Sequence, residues 1–527
     1  MTRVTLEWGE TWPSLDGFID LGASHRVVPV VRRLLADSLT PVAVYRALAQ
    51  ERPGTFILES AEPDGSRARF SFVGVRSRAM LTVDGDDARW SGDVPVGLAD
   101  GAPLASIRAA LGELASEAIE GLPPLTGGLV GVLGWDIIRQ WEPTLPMKAP
   151  REVDVPDVLL LLATDIAAID HRDGSVWLIA NAVNVDARES GIEGAYEAAV
   201  ARLDRMQHEL EGATAGPVSV LGPGDEPEIT QRSAPGEYER AVEFAKEAIR
   251  DGEVFQMVPS QRFDVPCDAS PLEVYRVLRT LNPSPYMYYF QLEDDRGREF
   301  AVVGASPESL CSVQDGRVST FPIAGSRPRG ASVEEDRRLQ EELLADPKEI
   351  AEHVMLVDLA RNDLVKVCEP TSVEVAEFMA VNRYSHIMHI CSTVVGTLEP
   401  QYGALDAFTA VFPAGTLSGA PKPRAIALID EIEPTRRAFY GGAVGYLDFA
   451  GNMDMAIAIR TALIADGVAH VQAGAGIVAD SVPATEAAET RHKAAAMIRA
   501  IATASRLVDA PPAASPGSPS APVPSLD

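Results

Sequence analysis

Cysteine is scarce in this chain: its 527 residues include only four, and none lies in a CxxC pair or a Cys/His cluster. This scarcity excludes a disulfide framework and a thiolate zinc site. We expect reduced, buried thiols in a cytoplasmic protein. The four are Cys267, Cys311, Cys368 and Cys391.

Long hydrophobic runs and basic residues are also few. No segment approaches the roughly 18 apolar residues of a membrane-spanning helix, and the N-terminal stretch "MTRVTLEWGETWPSLDGF" has no apolar signal core. Acidic residues outnumber basic ones by 76 to 46, which gives a formal net charge of −30. We therefore expect a soluble protein that binds neither membranes nor nucleic acid.

The chain is rich in hydrophobic residues, at 46%, arranged in both helix and strand patterns. Segments 157–170 and 175–183 are joined by the turn "HRDG", which predicts an antiparallel hairpin. Because hairpin turns dominate and no βαβ alternation occurs, we predict an α+β fold with antiparallel sheets. Further strands are predicted at 127–138, 254–265, 286–325 and 373–398, three strands at 439–478, and helices at 192–210, 237–252, 332–361 and 483–506.

Composition also predicts how the chain is divided. A stretch rich in Gly and Pro, without hydrophobic periodicity, predicts a linker at 212–231 between an N-terminal part, 1–211, and a second part, 232–507. The end of the chain reads "PPAASPGSPSAPVPSLD" and offers almost nothing to bury, so we expect 508–527 to be a disordered tail.

Two helices each carry a pair of glutamates three residues apart. Glu486 and Glu489 share a helix face with Lys493, and Glu349 and Glu352 repeat the spacing on an earlier helix. Both faces continue into apolar residues, so four carboxylates could meet in a partly dry site, where a divalent cation would relieve their repulsion. Oxygen-only ligands suit Mg²⁺. The alternative is that the glutamates are solvated and only stabilise the N-terminal ends of their helices. Ser481 looks like the N-cap of the helix that carries Glu486.

Other residues could contact an anionic substrate. Arg460 lies in an apolar segment predicted as a strand, where burial calls for a partner anion from protein or substrate. Segment 415–425, "GTLSGAPKPRA", opens a helix whose N–H groups could bind an anion. Glu308 follows an apolar strand at a Ser-Pro turn, so it could keep a proton at neutral pH and act as a general acid. His389 could be a core histidine or a site residue, and the sequence pattern alone favours a core histidine.

These segments together resemble the chorismate-utilising enzymes. The similarity lies in "GASPESL", "PIAGSRPRG", "KEIAEHVMLVDLARNDL", "RYSHIMH", "GTLSGAPKPRA", "YGGAVGY", "IAIRTA", "VQAGAGIVADS" and "EAAETRHKA", which occur in the family's order over about 250–505. The resemblance implies a sandwich-like core of large antiparallel sheets flanked by helices. It is strongest to the branch that aminates chorismate at C2 and eliminates pyruvate to form anthranilate.

The resemblance also implies roles for individual residues. Glu352 and Glu489 would ligate Mg²⁺, with Glu349 and Glu486 acting directly or through water, and the metal would bind the ring carboxylate of chorismate. The implied catalytic residues are Glu308, which would protonate the departing C4 hydroxyl, His389, which would assist loss of pyruvate, Thr416 and Lys493. The implied substrate-binding residues are Gly325, Ser326, Tyr440, Arg460, Gly474, Ala475 and Gly476.

Two positions help to choose among relatives within the family. Water-adding members carry lysine where this chain has Gln256, and aminodeoxychorismate synthases typically carry lysine where it has Ala324. Neutral and small residues there favour direct attack by ammonia. Aminodeoxyisochorismate or aminodeoxychorismate synthesis, and a non-catalytic regulatory protein that binds metal or carboxylate, remain the alternatives.

The family resemblance further implies two partners. No cysteine sits in a nucleophile elbow, so ammonia would come from a separate glutamine amidotransferase subunit. "FILESAE" at 56–62 and "NPSPYMYY" at 282–289 resemble a pocket for L-tryptophan as feedback inhibitor. The implied pocket residues are Glu59, Ser60, Pro285, Tyr286, Met287 and Tyr446.

Overall fold

The computed structural model describes residues 3–61, 66–184, 192–213, 216, 218–224, 227–383 and 387–510. Its helices are α1 (Leu15–Gly22), α2 (Pro41–Leu48), α3 (Pro103–Glu113), α4 (Ile192–Glu211), α5 (Glu237–Arg250), α6 (Pro271–Leu281), α7 (Val333–Ala345), α8 (Pro347–Leu364), α9 (Ala404–Val411), α10 (Gly415–Ser418), α11 (Lys422–Ile432) and α12 (Pro483–Ala504). None of these described helices is both long and apolar enough to cross a membrane.

The strands of the first half are β1 (Thr11–Trp12), β2 (Val27–Leu35), β3 (Thr55–Glu59), β4 (Phe70–Asp84), β5 (Asp87–Gly92), β6 (Gly128–Leu133), β7 (Val158–Asp170), β8 (Ser175–Val183), β9 (Ser219–Leu221) and β10 (Thr230–Gln231). Those of the second half are β11 (Gln256–Met257), β12 (Ser260–Pro266), β13 (Tyr286–Glu293), β14 (Glu299–Ser306), β15 (Ser309–Gln314), β16 (Arg317–Thr320), β17 (Ile323–Pro328), β18 (Glu374–Arg383), β19 (Ile387–Thr397), β20 (Gly419–Ala420), β21 (Ala443–Asp448), β22 (Met453–Ile457), β23 (Thr461–Ala465), β24 (Val468–Gly474) and β25 (Leu507–Asp509).

Antiparallel pairing organises these strands. The predicted hairpin forms between β7 and β8, with Asp170 opposite Ser175. The two halves of the chain share one sheet network, because β3 pairs with β13 and β6 pairs with β21, both antiparallel. Helices α4, α6 and α12 contribute to one large buried core together with strands from both halves. The prediction of an α+β fold with large antiparallel sheets and flanking helices is confirmed.

The predicted linker region contains two short strands among its described residues. β9 pairs with β25 near the C-terminus, and β10 pairs with β12. The division of the chain at 212–231 stays a prediction. The predicted disordered tail lies mostly outside the described residues, since 511–527 are not among them.

Several segments differ from the sequence predictions. Segment 439–478 contains four strands, not three, because the chain breaks at 458–460, where Arg460 adopts a left-handed φ of 51°. Segment 254–265 forms two strands, because the Val258 N–H bonds to Ser418 O instead of a ladder partner. Segment 127–138 stays extended only to Leu133 and then turns into a 3-10 helix at Trp135–Gln140.

Two helix starts also need correction. Ser481 does not cap α12: Val482 occupies that position, and the Ser481 hydroxyl accepts from the Val478 N–H instead. Segment 415–425 does not open directly into one helix. It forms the single turn α10 and the short strand β20, and α11 then begins at Lys422, after Pro421, whose fixed φ suits a helix start.

Candidate active site

Helix α12 brings Lys493, at its middle, against the end of β24. Lys493 Nζ lies 2.7 Å from Glu489 Oε1, the i,i+4 pair that the helix spacing predicts, and donates a 3.0 Å hydrogen bond to Gly474 O. Glycine is required at 474, because an added Cβ would lie 2.7 Å from Pro259 O and 3.0 Å from Tyr440 Oη. Lys493, Gly474 and Tyr440 are therefore immediate neighbours.

Glu352 on α8 faces the same strand end. Its Oε1 accepts a 3.0 Å hydrogen bond from Gln256 Nε2, and a Cβ added at Gly476 would lie 2.6 Å from that nitrogen. Burial raises the pKa of Glu352, and the negative charges of Glu349 and Glu489 raise it further, against the lowering effect of the Gln256 bond. The carboxylates of α8 and α12 thus repel one another across a desolvated gap.

The other two predicted ligands flank this gap. Glu486 is only 8% exposed, and burial, together with the charge of Glu489, raises its pKa. Glu349 accepts from Arg327 Nη1 at 3.3 Å. Within the described part of the chain, no three His, Cys, Asp or Glu side chains come close enough together to bind a metal ion. The helices bring the four glutamates to one region without assembling a coordination sphere.

Glu308 lies in the turn between β14 and β15. Thr416, on the single turn α10, donates from Oγ1 to Glu308 Oε1 at 2.9 Å. Burial raises the pKa of Glu308 to about 7, although the Thr416 bond and the positive charge of Lys493 lower it. A substantial fraction of this carboxyl therefore keeps its proton at neutral pH, as the sequence predicts for a general acid.

His389 on β19 lies beside the bulge in β17. Its Nδ1 donates to Gly325 O at 3.1 Å, and it stands opposite Ser326 in the ladder. Gly325 has a φ of +75°, which a glycine adopts without strain. Burial lowers the pKa of His389, and the charges of Arg460 and Lys493 lower it further, so a neutral imidazole with its lone pair on Nε2 results.

Arg460 follows the break between β22 and β23. Its guanidinium forms no hydrogen bond or ion pair with another side chain in the described ranges. Burial lowers its pKa, while Tyr440 and Glu489 act in the opposite direction. A non-glycine residue with φ of 51° is strained. A desolvated cation in a strained loop suits the binding of a ligand anion.

The residues of the predicted tryptophan pocket form a second cluster. Glu59 on β3 stands opposite Met287 on β13, next to the half-buried Tyr286 and the buried Pro285. Tyr286 Oη donates to Asp454 Oδ1 at 2.9 Å. Asp454 on β22 is in turn opposite Tyr446 on β21, which brings Tyr286 and Tyr446 beside one carboxylate. Ser60 directly follows the end of β3.

Sequence reasoning missed several members of both clusters. Arg279 and Tyr275 on α6 both donate to Glu59, and Asp454 joins the second cluster. Around the four glutamates of α8 and α12, Arg327 pairs with Glu349. Gln256, which in the sequence serves only to distinguish branches of the family, contacts Glu352. These are contacts between distant segments, for which the local sequence pattern contains no signal.

Comparisons with known proteins show which family the chain belongs to. A family model described as chorismate binding enzyme matches residues 54–499. The chain belongs to this family. The anthranilate synthase component 1 of Arthrobacter globiformis is 54% identical to this family member over 499 residues, which cover 94% of either protein.

Solved structures extend the likeness to the fold. The crystal structure of anthranilate synthase component I from Streptococcus pneumoniae TIGR4 is 35% identical, covers 88% of this chain and 98% of its own, and superposes with a TM-score of 0.73. The menaquinone-specific isochorismate synthase MenF of Escherichia coli has 18% identity and a TM-score of 0.67, and covers 93% of this chain and 98% of its own. The second likeness concerns the fold alone.

Proposed function

We propose that this chain converts chorismate and ammonia to anthranilate, pyruvate and water. The observation that carries the proposal is the protonatable Glu308, hydrogen-bonded to Thr416 within the electrostatic reach of Lys493. Support also comes from the relatives, which are named for this synthase and align over nearly the full chain.

The two glutamate pairs would bind Mg²⁺. The fit rests on the raised pKa values of Glu352 and Glu486, since buried carboxylates that repel one another are stabilised by a cation. Glu352 and Glu489 are the proposed direct ligands, with Glu349 and Glu486 acting directly or through water. The bound ion supplies positive charge for the ring carboxylate of chorismate.

The enolpyruvyl carboxylate would bind at the opposite end of the site. Arg460 supplies a desolvated guanidinium that forms no ion pair within the described ranges, and Tyr440 adds a phenol that burial keeps protonated by raising its pKa. The backbone at Gly474, Ala475 and Gly476 runs alongside, where side chains larger than hydrogen at 474 and 476 would clash. Gly325 and Ser326 would line the ring between the two ends.

Glu308 would act as general acid in the first chemical step. Ammonia attacks C2, the two conjugated ring double bonds shift to C1–C6 and C4–C5, and the C4–O bond breaks while the Glu308 proton moves to the departing oxygen, which leaves as water. Lys493 would stabilise the resulting Glu308 carboxylate. In the second step the aminated ring loses its C2 proton and the enolpyruvyl group departs as pyruvate, assisted by the neutral imidazole of His389.

Ammonia would come from a separate glutamine amidotransferase subunit. All four cysteines are buried, and burial raises the pKa of the Cys267, Cys311 and Cys368 thiols, so these three are poor nucleophiles for glutamine. The chain alone should therefore use ammonium salts but not glutamine.

L-Tryptophan would bind the second cluster and inhibit the enzyme. Glu59 and Asp454 provide carboxylates for an amino group, and Pro285 and Met287 provide apolar walls. Strand β14, which ends two residues before Glu308, pairs directly with β13, so this strand pair is a physical connection between the two sites.

Product identification tests the proposed function. Purified chain is incubated with chorismate, Mg²⁺ and ammonium, and the products are separated by chromatography and identified by mass. Anthranilate with equimolar pyruvate is expected. An aminated, non-aromatic product would instead assign the chain to aminodeoxyisochorismate or aminodeoxychorismate synthesis, and unchanged chorismate would favour a non-catalytic binding protein.

A further inference from the structure

A cavity adjoins Glu308 on the side of α8, α9 and α10. It has about 60 Å³ open to water-sized molecules, which is room for a few waters at roughly 10–15 Å³ each. Water in a cavity needs polar groups as hydrogen-bond partners, and this cavity has them. The lining includes Glu308, Thr416, Asp363 and Lys422, with Leu356 and Leu359 as apolar walls.

A buried ion pair forms the far side of this cavity. Lys422 Nζ lies 2.6 Å from Asp363 Oδ2 and also donates to Val411 O at 2.6 Å. The side chains of Lys422 and Asp363 are 11% and 5% exposed. A charged pair is costly to desolvate and is not the most stable filling for such a space. The proposed chemistry at Glu308 assigns these two residues no role.

The pair is connected to solvent. Asp363 Oδ1 accepts a 2.9 Å hydrogen bond from Lys366 Nζ, whose side chain is 54% exposed. Polar groups therefore run from the surface at Lys366, through Asp363 and Lys422, to the cavity that Thr416 and Glu308 line. The described residues contain no direct contact between Lys422 and Glu308, so water in the cavity must complete the path.

We propose that this cavity is the route by which Glu308 regains its proton from solvent after each turnover, with Lys422 and Asp363 positioning the water that carries it. The inference rests on the proposed function, in which Glu308 gives its proton to the departing hydroxyl. Solvent water transfers a proton along the cavity to the Glu308 carboxylate, re-forming the O–H bond.

The proton balance of the reaction allows this route. Attack by ammonia leaves a cationic nitrogen on C2 that must release one proton, so the overall conversion neither consumes nor produces protons. That proton is released from the nitrogen on C2, two ring positions away from C4. It enters solvent there, and an equivalent proton returns to Glu308 through the cavity.

Comparison of first and later turnovers tests the route. In the double variant Lys422→Met/Asp363→Leu the ion pair is replaced by apolar side chains of similar size, so that no buried charge is left unpaired; Lys366, which loses its bond to Asp363, is half-exposed and stays solvated. Below the Glu308 pKa of about 7 most resting enzyme carries the proton, so at pH 6 with enzyme in excess over chorismate we expect the wild-type rate of anthranilate formation. With chorismate in excess we expect a burst of one anthranilate per site, followed by a steady state at least about tenfold slower.

A cavity-filling variant gives the same information without altering the ion pair. Ala360 lines the cavity, so Ala360→Leu should displace its water and produce the same burst, whereas the exposed Ala198→Leu on α4 should behave as wild type. Equal slowing of first and later turnovers, or no slowing in either variant, would overturn the route. If the wild-type chain forms no anthranilate, the proposed function itself is overturned. The wild-type reaction alone gives this result, so it is distinguished from failure of the proton route.

Discussion

Thr416 Oγ1 donates a 2.9 Å hydrogen bond to Glu308 Oε1, joining a turn between two strands to a single helical turn more than a hundred residues later in the chain. Burial disfavours the Glu308 carboxylate, and this bond favours it. The opposition leaves the pKa at about 7, where the carboxyl can both donate and regain a proton. Thr416 therefore tunes the proposed general acid.

Replacing Thr416 tests this tuning. Thr416→Val removes a donor that stabilises the carboxylate, so the pKa of Glu308 should rise further. Because the protonated form is the active one, the fall in kcat/KM for chorismate on the alkaline side should move to higher pH. The measurement is the pH profile at constant free ammonia. Thr409→Val removes a hydroxyl that bonds only within α9 and should leave the profile unchanged; an unshifted Thr416→Val profile would contradict the account.

The second prediction concerns the metal. Glu489→Gln removes one of the charges that repel Glu352 and Glu486, so Mg²⁺ should bind more weakly, by tenfold or more in Kd, about 1.4 kcal/mol. Titration calorimetry of the chain with Mg²⁺ alone measures this without turnover. The exposed Glu247→Gln on α5 is the control and should bind Mg²⁺ as wild type does. Undiminished affinity in Glu489→Gln would remove it from the ligand set.

The third prediction concerns feedback by tryptophan. Ser60→Ala should raise the tryptophan concentration for half inhibition by about tenfold, which corresponds to one lost hydrogen bond of about 1.4 kcal/mol. The rate without tryptophan should not change, because Ser60 lies outside the proposed catalytic cluster. Ser24→Ala, at an exposed turn, is the matched control. If Ser60→Ala keeps full sensitivity, the second cluster is not the regulatory site.

The fourth prediction concerns stability. Arg437 and Glu433 form a buried pair at 2.7 Å, with side chains 1% and 4% exposed. Glu433→Gln leaves the guanidinium uncompensated and should lower the free energy of unfolding by about 3–5 kcal/mol. The exposed pair of Arg337 and Glu341 provides the control, since Glu341→Gln should change it by less than about 1 kcal/mol. Chemical denaturation measures both, and equal effects would contradict the burial argument.

Local patterns predicted the parts of the fold and site that depend on nearby residues. The i,i+4 spacing of Glu489 and Lys493 predicts their ion pair, which the structure contains at 2.7 Å. The turn "HRDG" predicts the hairpin of β7 and β8. The resemblance to the chorismate-utilising family is confirmed by the family match over 54–499.

Features set by distant contacts were beyond the sequence patterns. Arg460 lies in an apolar run that predicts a continuous strand, yet the backbone breaks there with a left-handed φ. Gln256 binds Glu352, 96 residues away in the chain, and Asp454 joins Tyr286 across two strands. The roles assigned to individual site residues stay predictions, because they concern ligands and protons that no local pattern specifies.

The most direct test of the central claim measures anthranilate fluorescence in real time. Wild-type chain and Glu308→Gln are each mixed with chorismate, Mg²⁺ and ammonium at mildly alkaline pH. We predict a steady rise for the wild type and a rate about 10²- to 10⁴-fold lower for Glu308→Gln, which keeps the shape of the side chain but cannot act as an acid. Chorismate consumption by the wild type without fluorescence, or an undiminished rate in Glu308→Gln, would contradict the account.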